Sequence, residues 1–349
     1  MHTKTPFFNF TRLGIGISLS LIFINQSFCQ KLMWNAGIHS FFDNREYFNK
    51  YSNDQTICGV RPFGMIGLSL DEHNELEFGF NFLYEFGSTL DTKYAQPIFY
   101  YHYETEPVKV YFGSFERKKL INLPLVLQSD TFQYYRPNVE GIFLELRKTW
   151  GYQNGWIDWI SKQGPEKKEA FLIGGTGFLK KGVFFYRHDF IMTHYALTGM
   201  DTVNEHIRDN GGMYAGIGIN LSHKTFLDSL TLSTGFTGSY DRTRDIYPFR
   251  FYKGSLTEFC AQYKALGIHS IVYLGTGQMQ LVGDALYKAK SYERIDLFWQ
   301  VFRKGPVKGQ VTFSFHFIDA NLNYSQAFTV YMDLGGSKNL KSVSNYSDL

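Results

Sequence analysis

The segment Val311-Thr312-Phe313-Ser314-Phe315-His316-Phe317 alternates apolar and polar residues without a break. Because successive side chains of a β-strand point to opposite faces, one face of this segment is wholly apolar and the other is polar. The segments 75–82 and 215–222 alternate in the same way. A soluble sandwich packs such an apolar face against a second sheet, whereas a membrane barrel exposes it to lipid. The function depends on which of these two structures forms.

The composition favours the membrane structure. The chain has 349 residues, with 35 Lys and Arg against 32 Asp and Glu, so it lacks the strong positive charge typical of nucleic-acid-binding proteins. Aromatic residues make up 18% of the chain. This content suits a lipid-facing surface with aromatic girdles at the two membrane interfaces.

The amino terminus has the pattern of an export signal. Lys4 and Arg12 flank the apolar run 13–24, and Ser27-Phe28-Cys29 predicts cleavage before Gln30. Acylation of Cys29 is an alternative, which the bulky Phe28 disfavours, and the apolar run is short for an uncleaved membrane anchor. We therefore expect a signal peptide at 1–29, a barrel at 30–334 and a polar tail at 335–349.

The links between the predicted strands are alternately short and long. This alternation is typical of outer-membrane barrels, which have short periplasmic turns and longer outer loops. We expect an all-β fold, a transmembrane antiparallel up-and-down β-barrel of about 16 strands, with long links at 196–212, 241–253 and 276–290. Short helices are predicted at 120–127 and near 281–287. A secreted β-sandwich is the alternative, but the glycines and small polar residues opposite the apolar faces suit a lumen better.

Several motifs between residues 111 and 141 resemble porin-like outer-membrane proteins of Bacteroidota. They are Tyr111-Phe112-Gly113-Ser114-Phe115-Glu116-Arg117, Leu123-Pro124-Leu125, Ser129-Asp130-Thr131, Tyr134-Tyr135-Arg136-Pro137-Asn138 and Glu140-Gly141. The resemblance implies an outer-membrane barrel that acts as a channel. The chain departs from many such barrels because a polar tail follows the last strand.

The link 116–138 is long enough to fold into a barrel and narrow it. Charges at such a constriction select ions by sign. We expect a pore constriction with a preference for anions, unless the link is a solvated surface loop. Its predicted members are Arg117, Lys118, Lys119, Asp130 and Arg136.

Charges interrupt the strand predicted around residue 188. Arg187 and Asp189 share one face, and a charge turned toward lipid at mid-membrane is unfavourable by about 2–4 kcal/mol. We therefore expect Arg187 and Asp189 to form an ion pair in the lumen, with His188 near an interface.

Motifs for enzymatic chemistry are weak. His188, Asp189 and His194 lie close in sequence and Ser222 precedes His223, but none belongs to a recognisable catalytic motif. No metal-ligand spacing and no phosphate-binding loop is present, so neither a metal nor a cofactor is expected. The segment 156–159 could stack on sugars, although an aromatic girdle explains it as well.

These patterns predict an outer-membrane protein, in contact with lipid, that passes small hydrophilic solutes by passive diffusion and is not an enzyme. Two alternatives stay open. One is an outer-membrane barrel enzyme or ligand-binding barrel with a plugged lumen, and the other is a secreted β-sandwich that binds a ligand.

Overall fold

The computed structural model describes residues 31–89, 91, 94–200, 205–319 and 321–336. The predicted signal peptide and residues 337–349 of the predicted tail lie outside this part of the chain. Among the described residues, no helix is long and apolar enough to cross a membrane.

The described chain forms one antiparallel sheet in which each strand pairs with the next in sequence, except where the third strand of the barrel is interrupted. The strands are β1 (Lys31–Glu46), β2 (Gln55–Ser69), β3 (Asn74–Phe82), β4 (Tyr84–Glu85), β5 (Ala95–Glu104), β6 (Val108–Glu116), β7 (Asn138–Lys148), β8 (Gly151–Ser161), β9 (Ala170–Lys181), β10 (Phe184–Tyr195), β11 (Arg208–Asn220), β12 (Ser229–Thr243), β13 (Tyr247–Tyr263), β14 (Leu266–Gly275), β15 (Ser291–Lys304), β16 (Val307–Ile318) and β17 (Asn321–Gly335).

The sheet closes on itself because β1 pairs with both β2 and β17. The β1–β17 register runs from Asn35 opposite Gly335 to Glu46 opposite Tyr324. β3 and the two-residue β4 both pair with β2 and together form one interrupted strand of the barrel. The result is a closed barrel of 16 strands, so the predicted architecture is confirmed and the sandwich alternative is wrong.

The distribution of side chains is that of a membrane barrel. On β16, Phe313, Phe315 and Phe317 are 50%, 37% and 39% exposed, whereas Ser314 and His316 are 4% and 1% exposed. The apolar face therefore points outward and the polar face points into the lumen, as lipid around the barrel requires.

The two ends of the barrel have different connections. At one end, here called the turn end, the strands are joined by short links such as 182–183 and 305–306, where Gly182 and Gly305 adopt positive φ. At the opposite end, the loop end, most links are longer. The expected long link 241–253 is wrong, because β12 extends to Thr243 and β13 begins at Tyr247. The expected link 196–212 is also too long, because β11 already begins at Arg208.

Two loops from the loop end fold into the barrel. The first plug loop, 117–137, joins β6 to β7 and contains the helix α1 (Phe132–Tyr135). The second plug loop, 276–290, joins β14 to β15 and contains a 3-10 helix (Ala285–Lys288). A helix was expected at 120–127, but that segment holds turns because Pro124 has no N–H to donate.

The plug loops bind each other and fill the interior. The N–H of Ser129 donates to the carbonyl oxygen of Val282 at 2.7 Å, and that of Asp284 to the carbonyl oxygen of Leu125 at 2.9 Å. Buried side chains of both loops form one apolar cluster with lumen-facing residues of the wall. The cluster includes Ile121, Leu123, Val126, Leu127, Val282, Leu286, Tyr287, Phe115, Phe143, Trp156, Leu172, Tyr214, Leu256, Tyr273 and Tyr292.

A barrel filled in this way should conduct ions poorly. We expect the folded protein to give no stable conductance steps in planar bilayers, because the two plug loops occupy the cross-section. Replacing 118–136 and 278–288 by short Gly-Ser links should open a channel. Shortening the outer loop 162–169, which contributes nothing to the apolar cluster, is the matched control and should leave the protein closed. Wild-type steps as large as those of the doubly shortened variant would contradict a plugged lumen.

Candidate functional site

Arg117 anchors the beginning of the first plug loop. Its guanidinium donates to the carboxylate of Asp158 on β8 and, at 3.2 Å, to the carbonyl oxygens of Asn138 and Arg136. The side chains of Arg117 and Asp158 are 4% and 0% exposed. We expected the positive charge of Arg117 to select ions. It is instead paired with the buried carboxylate of Asp158, and this ion pair fixes the loop to the wall.

The next two lysines also contact neighbouring groups. Lys119 Nζ lies 2.9 Å from Glu116 Oε2, and Lys118 Nζ lies 3.3 Å from the ring centroid of Tyr331 on β17. The contact with Tyr331 ties the loop to β17, one of the two strands that close the barrel, whereas the contact with Glu116 holds the start of the loop against the end of β6.

Asp130 connects the first plug loop to two wall strands. Its carboxylate lies 2.9 Å from Arg45 Nη2 and 3.8 Å from Arg294 Nη1. Burial opposes ionisation of this carboxyl, but Arg45 and Arg294 outweigh it and lower the pKa of Asp130. Arg136 donates to the carbonyl oxygen of Ile160 at 3.4 Å. The five residues expected at a pore constriction therefore lie on one inward loop, where their contacts hold that loop in place.

Arg187 and Asp189 lie on the lumen face of β10. Arg187 Nε is 2.6 Å from Asp189 Oδ2, and Thr176 Oγ1 donates to Asp189 Oδ1 at 2.8 Å. Arg187 also donates to the carbonyl oxygen of Asn122 in the first plug loop. This pair is thus another anchor of the plug.

Ser325 and His316 form a hydrogen-bonded pair inside the barrel. Ser325 Oγ lies 3.2 Å from His316 Nε2, and the phenol oxygen Oη of Tyr292 lies 2.8 Å from His316 Nδ1. This is the arrangement of a nucleophile with a base and an orienting group. His316 is 1% exposed and Tyr292 is 0% exposed, behind the plug. No lipid substrate can reach this group without displacing the plug, so we regard it as structural.

A second histidine cluster lies on the outer face at the loop end. The register places five outward residues in one line across β8 to β12: Trp159, Phe171, His194, Asp209 and Arg242. We call this line the rim row. Its neighbours confirm the outward direction, since Phe190 on β10 and Met213 on β11 are 41% and 46% exposed.

His194 and Asp209 form a hydrogen-bonded pair within the rim row. His194 Nδ1 lies 2.8 Å from Asp209 Oδ1, and Arg244 Nε donates to Asp209 Oδ2 at 2.9 Å. Their side chains are 18% and 13% exposed, and that of Arg244 is 42% exposed. Because Nδ1–H donates to the carboxylate, Nε2 is left to accept a proton from water. This pair therefore has the geometry and access of a general base with its orienting group.

The aromatic residues of the rim row place the pair at an interface. The ring of Phe171 stacks on His194 at a centroid distance of 4.9 Å, and Trp159 lies 6.3 Å from Phe171. Trp and other aromatic residues mark the level of lipid headgroups. Outward charges are tolerated at this level at about 0–1 kcal/mol, far less than at the membrane midplane.

Sequence reasoning noticed His194 but missed its partner. Asp209 was assigned to a loop, since the start of β11 was placed at Met213 instead of Arg208. Asp209 lies directly opposite His194 only in the observed register. Among the described residues, no group of three or more His, Cys, Asp or Glu side chains could hold a metal ion.

The model of a family described as Lipid A 3'-O-deacylase-type matches residues 24–344. The comparison with curated proteins gives no match.

Solved structures with a similar fold are outer-membrane barrels. In vitro folded OmpT, an outer membrane protein of Vibrio cholerae, has a TM-score of 0.53 at 8% identity, with 89% of this chain and 99% of that chain covered. Salmonella typhi OmpF in complex with daunomycin has a TM-score of 0.51 at 10% identity, with 87% and 98% covered. At such low identity these structures show the fold alone.

The Arg117–Asp158 pair should dominate the stability of the plug. Replacing Arg117 by Met leaves the Asp158 charge buried and unpaired, so we expect a loss of about 3–5 kcal/mol in the free energy of unfolding. Denaturant titration of the refolded barrel would measure it. The double variant R117M/D158N should lose less than the sum of its single variants. Lys119→Met, which breaks only the half-exposed pair with Glu116, is the control and should lose less than about 1 kcal/mol. Equal losses for Arg117→Met and Lys119→Met would contradict the anchoring role.

Proposed function

We propose that this chain, which belongs to the lipid A 3'-O-deacylase-type family, hydrolyses an ester-linked acyl chain of a membrane lipid at the rim row. The observation that carries the proposal is the outward-facing His194–Asp209 pair at the aromatic interface level. The ester groups of a lipid lie at this same boundary between headgroups and hydrocarbon. A substrate in the surrounding leaflet can therefore reach His194 laterally, without entering the lumen.

The family corrects two of our expectations. A passive channel and a protein without enzymatic activity were expected, and both are wrong because the matched family is one of deacylases. The alternative of an outer-membrane barrel enzyme with a plugged lumen agrees with the family and with the two plug loops.

The proposed reaction is hydrolysis with His194 as the general base. Nε2 takes a proton from a water molecule, whose oxygen attacks the ester carbonyl carbon. The developing imidazolium is stabilised by Asp209, which also holds the ring in the required tautomer. The tetrahedral intermediate then expels the alcohol oxygen, which takes the proton back from Nε2. The products are a free fatty acid and a lipid with a new hydroxyl group.

Two cations lie next to Asp209, the partner of the proposed base. Arg244 binds Asp209 and keeps the carboxylate oriented, while Arg242 occupies the rim row opposite Asp209. The guanidinium carbon of Arg242 lies 4.8 Å from the ring centroid of Phe249. We assign to Arg242 the stabilisation of the negative charge that develops on the carbonyl oxygen.

The localisation follows from the fold, an outer-membrane β-barrel, and its finer features are further proposals. We propose that residues 1–29 are the export signal, that the barrel spans 30–334, and that the turn end faces the periplasm. The loop end and the rim row would then lie in the outer leaflet. An origin in Bacteroidota is proposed from the motif resemblance.

The test is release of fatty acid from lipid A by the refolded protein, measured by mass spectrometry. His194→Gln should lower the rate by about 10²–10⁴-fold, which is the usual contribution of a general base. His188→Gln is the matched control, since His188 lies on the same strand and faces outward without a carboxylate opposite it. It should retain the wild-type rate.

His316→Gln separates the two histidine clusters. It should leave the rate per folded molecule unchanged, because His316 lies behind the plug. Loss of activity in His316→Gln with full activity in His194→Gln would move the site into the lumen and refute the proposal.

A further inference from the structure

The turn end of the barrel carries its charges unevenly. Seven turns join the strands there, and five consecutive ones, from the turn after β7 to the turn after β15, each have an exposed lysine in the turn or at the end of the strand before it. We call these five side chains the basic arc: Lys148, Lys181, Lys224, Lys264 and Lys304. The other two turns, 70–73 and 105–107, contain Glu72 and Glu106 and neither lysine nor arginine.

The lysines of the basic arc lie on the outside of the barrel and lack acidic partners. Lys148, Lys181 and Lys304 end their strands, each two positions after an exposed apolar side chain on the same face. Those apolar side chains are Leu146, Leu179 and Phe302, which are 52%, 41% and 39% exposed. Asp228 is the only acidic residue in the five turns, and its carboxylate accepts a hydrogen bond from the backbone N–H of Lys264. None of the five lysines forms an ion pair with a residue that the structure describes.

Exposed aromatic side chains place the basic arc at the level of the lipid headgroups. One of them lies beside each lysine: Trp150, Phe184, Phe226, Tyr263 and Phe302. Lys264 Nζ lies 5.0 Å from the ring centroid of Tyr263, and the centroid of Phe226 lies 6.1 Å from that of Tyr263. Aromatic rings mark the boundary between headgroups and hydrocarbon, and lysine side chains extend from this boundary toward water. The ammonium groups of the arc therefore reach the level of the lipid phosphates.

Unpaired ammonium groups at this level distinguish lipids by the charge of the headgroup. A zwitterionic headgroup offers a phosphate that its own cation already neutralises, whereas the headgroup of phosphatidylglycerol keeps its negative charge. A lysine near a membrane surface attracts such an anionic lipid about fivefold more strongly than a neutral one. Glu72 and Glu106 repel the same headgroup, so the attraction is confined to the side of the barrel that carries the arc.

We infer that the basic arc binds anionic phospholipids in the leaflet that surrounds the turn end, and that it does so on one side of the barrel only. The group that is bound is the phosphodiester of a headgroup without a cation of its own. The rim row lies at the opposite end of the barrel, so these lipids are not the substrate of the proposed reaction. The inference therefore goes beyond the proposed function and does not rest on it.

Quenching of tryptophan fluorescence by brominated lipids tests the inference on the refolded barrel. One reporter keeps Trp150, in the basic arc, and replaces Trp34, Trp159 and Trp299 by Phe. The matched reporter keeps Trp34, which is 53% exposed at the turn end of β1 outside the arc, and replaces the other three. Trp156 stays in both, because it is 4% exposed and out of reach of lipid.

Each reporter is placed in phosphatidylcholine vesicles that contain either brominated phosphatidylglycerol or brominated phosphatidylcholine. Both leaflets have the same composition, so the direction of insertion does not affect the result. At Trp150 we expect the phosphatidylglycerol to associate about fivefold more strongly than the phosphatidylcholine. At Trp34 we expect no such preference.

Charge variants of the Trp150 reporter identify the lysines responsible. The double variant K148Q/K181Q should abolish the preference for phosphatidylglycerol. The control K162Q/K167Q removes two exposed lysines from an outer loop at the loop end, and it should keep the preference although its net charge changes equally. Salt at 1 M, where the Debye length is about 3 Å, should also abolish the preference without any change in sequence. Equal association of the two lipids at Trp150, the same preference at Trp34, or a preference that survives in K148Q/K181Q would overturn the inference.

Discussion

The structure depends on the pairing of β1 with β17. Inside a membrane no water is present to satisfy the backbone N–H and C=O groups of an edge strand, so a sheet that crosses the bilayer must close. The twelve-residue register from Asn35–Gly335 to Glu46–Tyr324 provides this closure. Once the sheet is closed, each strand has one face toward lipid and one face toward the lumen. The plug loops pack against the lumen face, and the rim row lies on the lipid face.

The lumen face is used for packing. The buried pair Arg117–Asp158 and the partly buried pair Arg45–Asp130 are stabilising in this interior only because both partners are present and further hydrogen bonds satisfy them. They hold the plug loops, whose apolar residues then bury the aromatic side chains of the wall. The interior of the barrel is therefore packed like the core of a globular protein. This packing supports the wall strands from inside, which an empty barrel of this width would not do.

The sequence predicted those features that depend on local periodicity. The alternation of Phe313, Ser314 and His316 is enough to give a strand with an apolar outer face, because it requires no knowledge of the neighbouring strands. The pairing of Asp209 with His194 could not be predicted in the same way. It depends on register across a loop, and a shift of a single residue would turn Asp209 to the lumen. The Arg45–Asp130 pair joins residues 85 apart and likewise follows from the tertiary structure alone.

A filled lumen is compatible with a functional site on the outer face of the barrel. A porin needs its interior empty because its solutes pass through it, whereas an enzyme that acts on membrane lipid receives its substrate from the side. For such an enzyme the interior is free to be packed, and packing fixes the wall strands on which His194 and Asp209 are held. The outer face must stay apolar over most of its height, so polar groups can be placed only near an interface. The rim row occupies that zone, which is also where the ester bonds of the lipid lie.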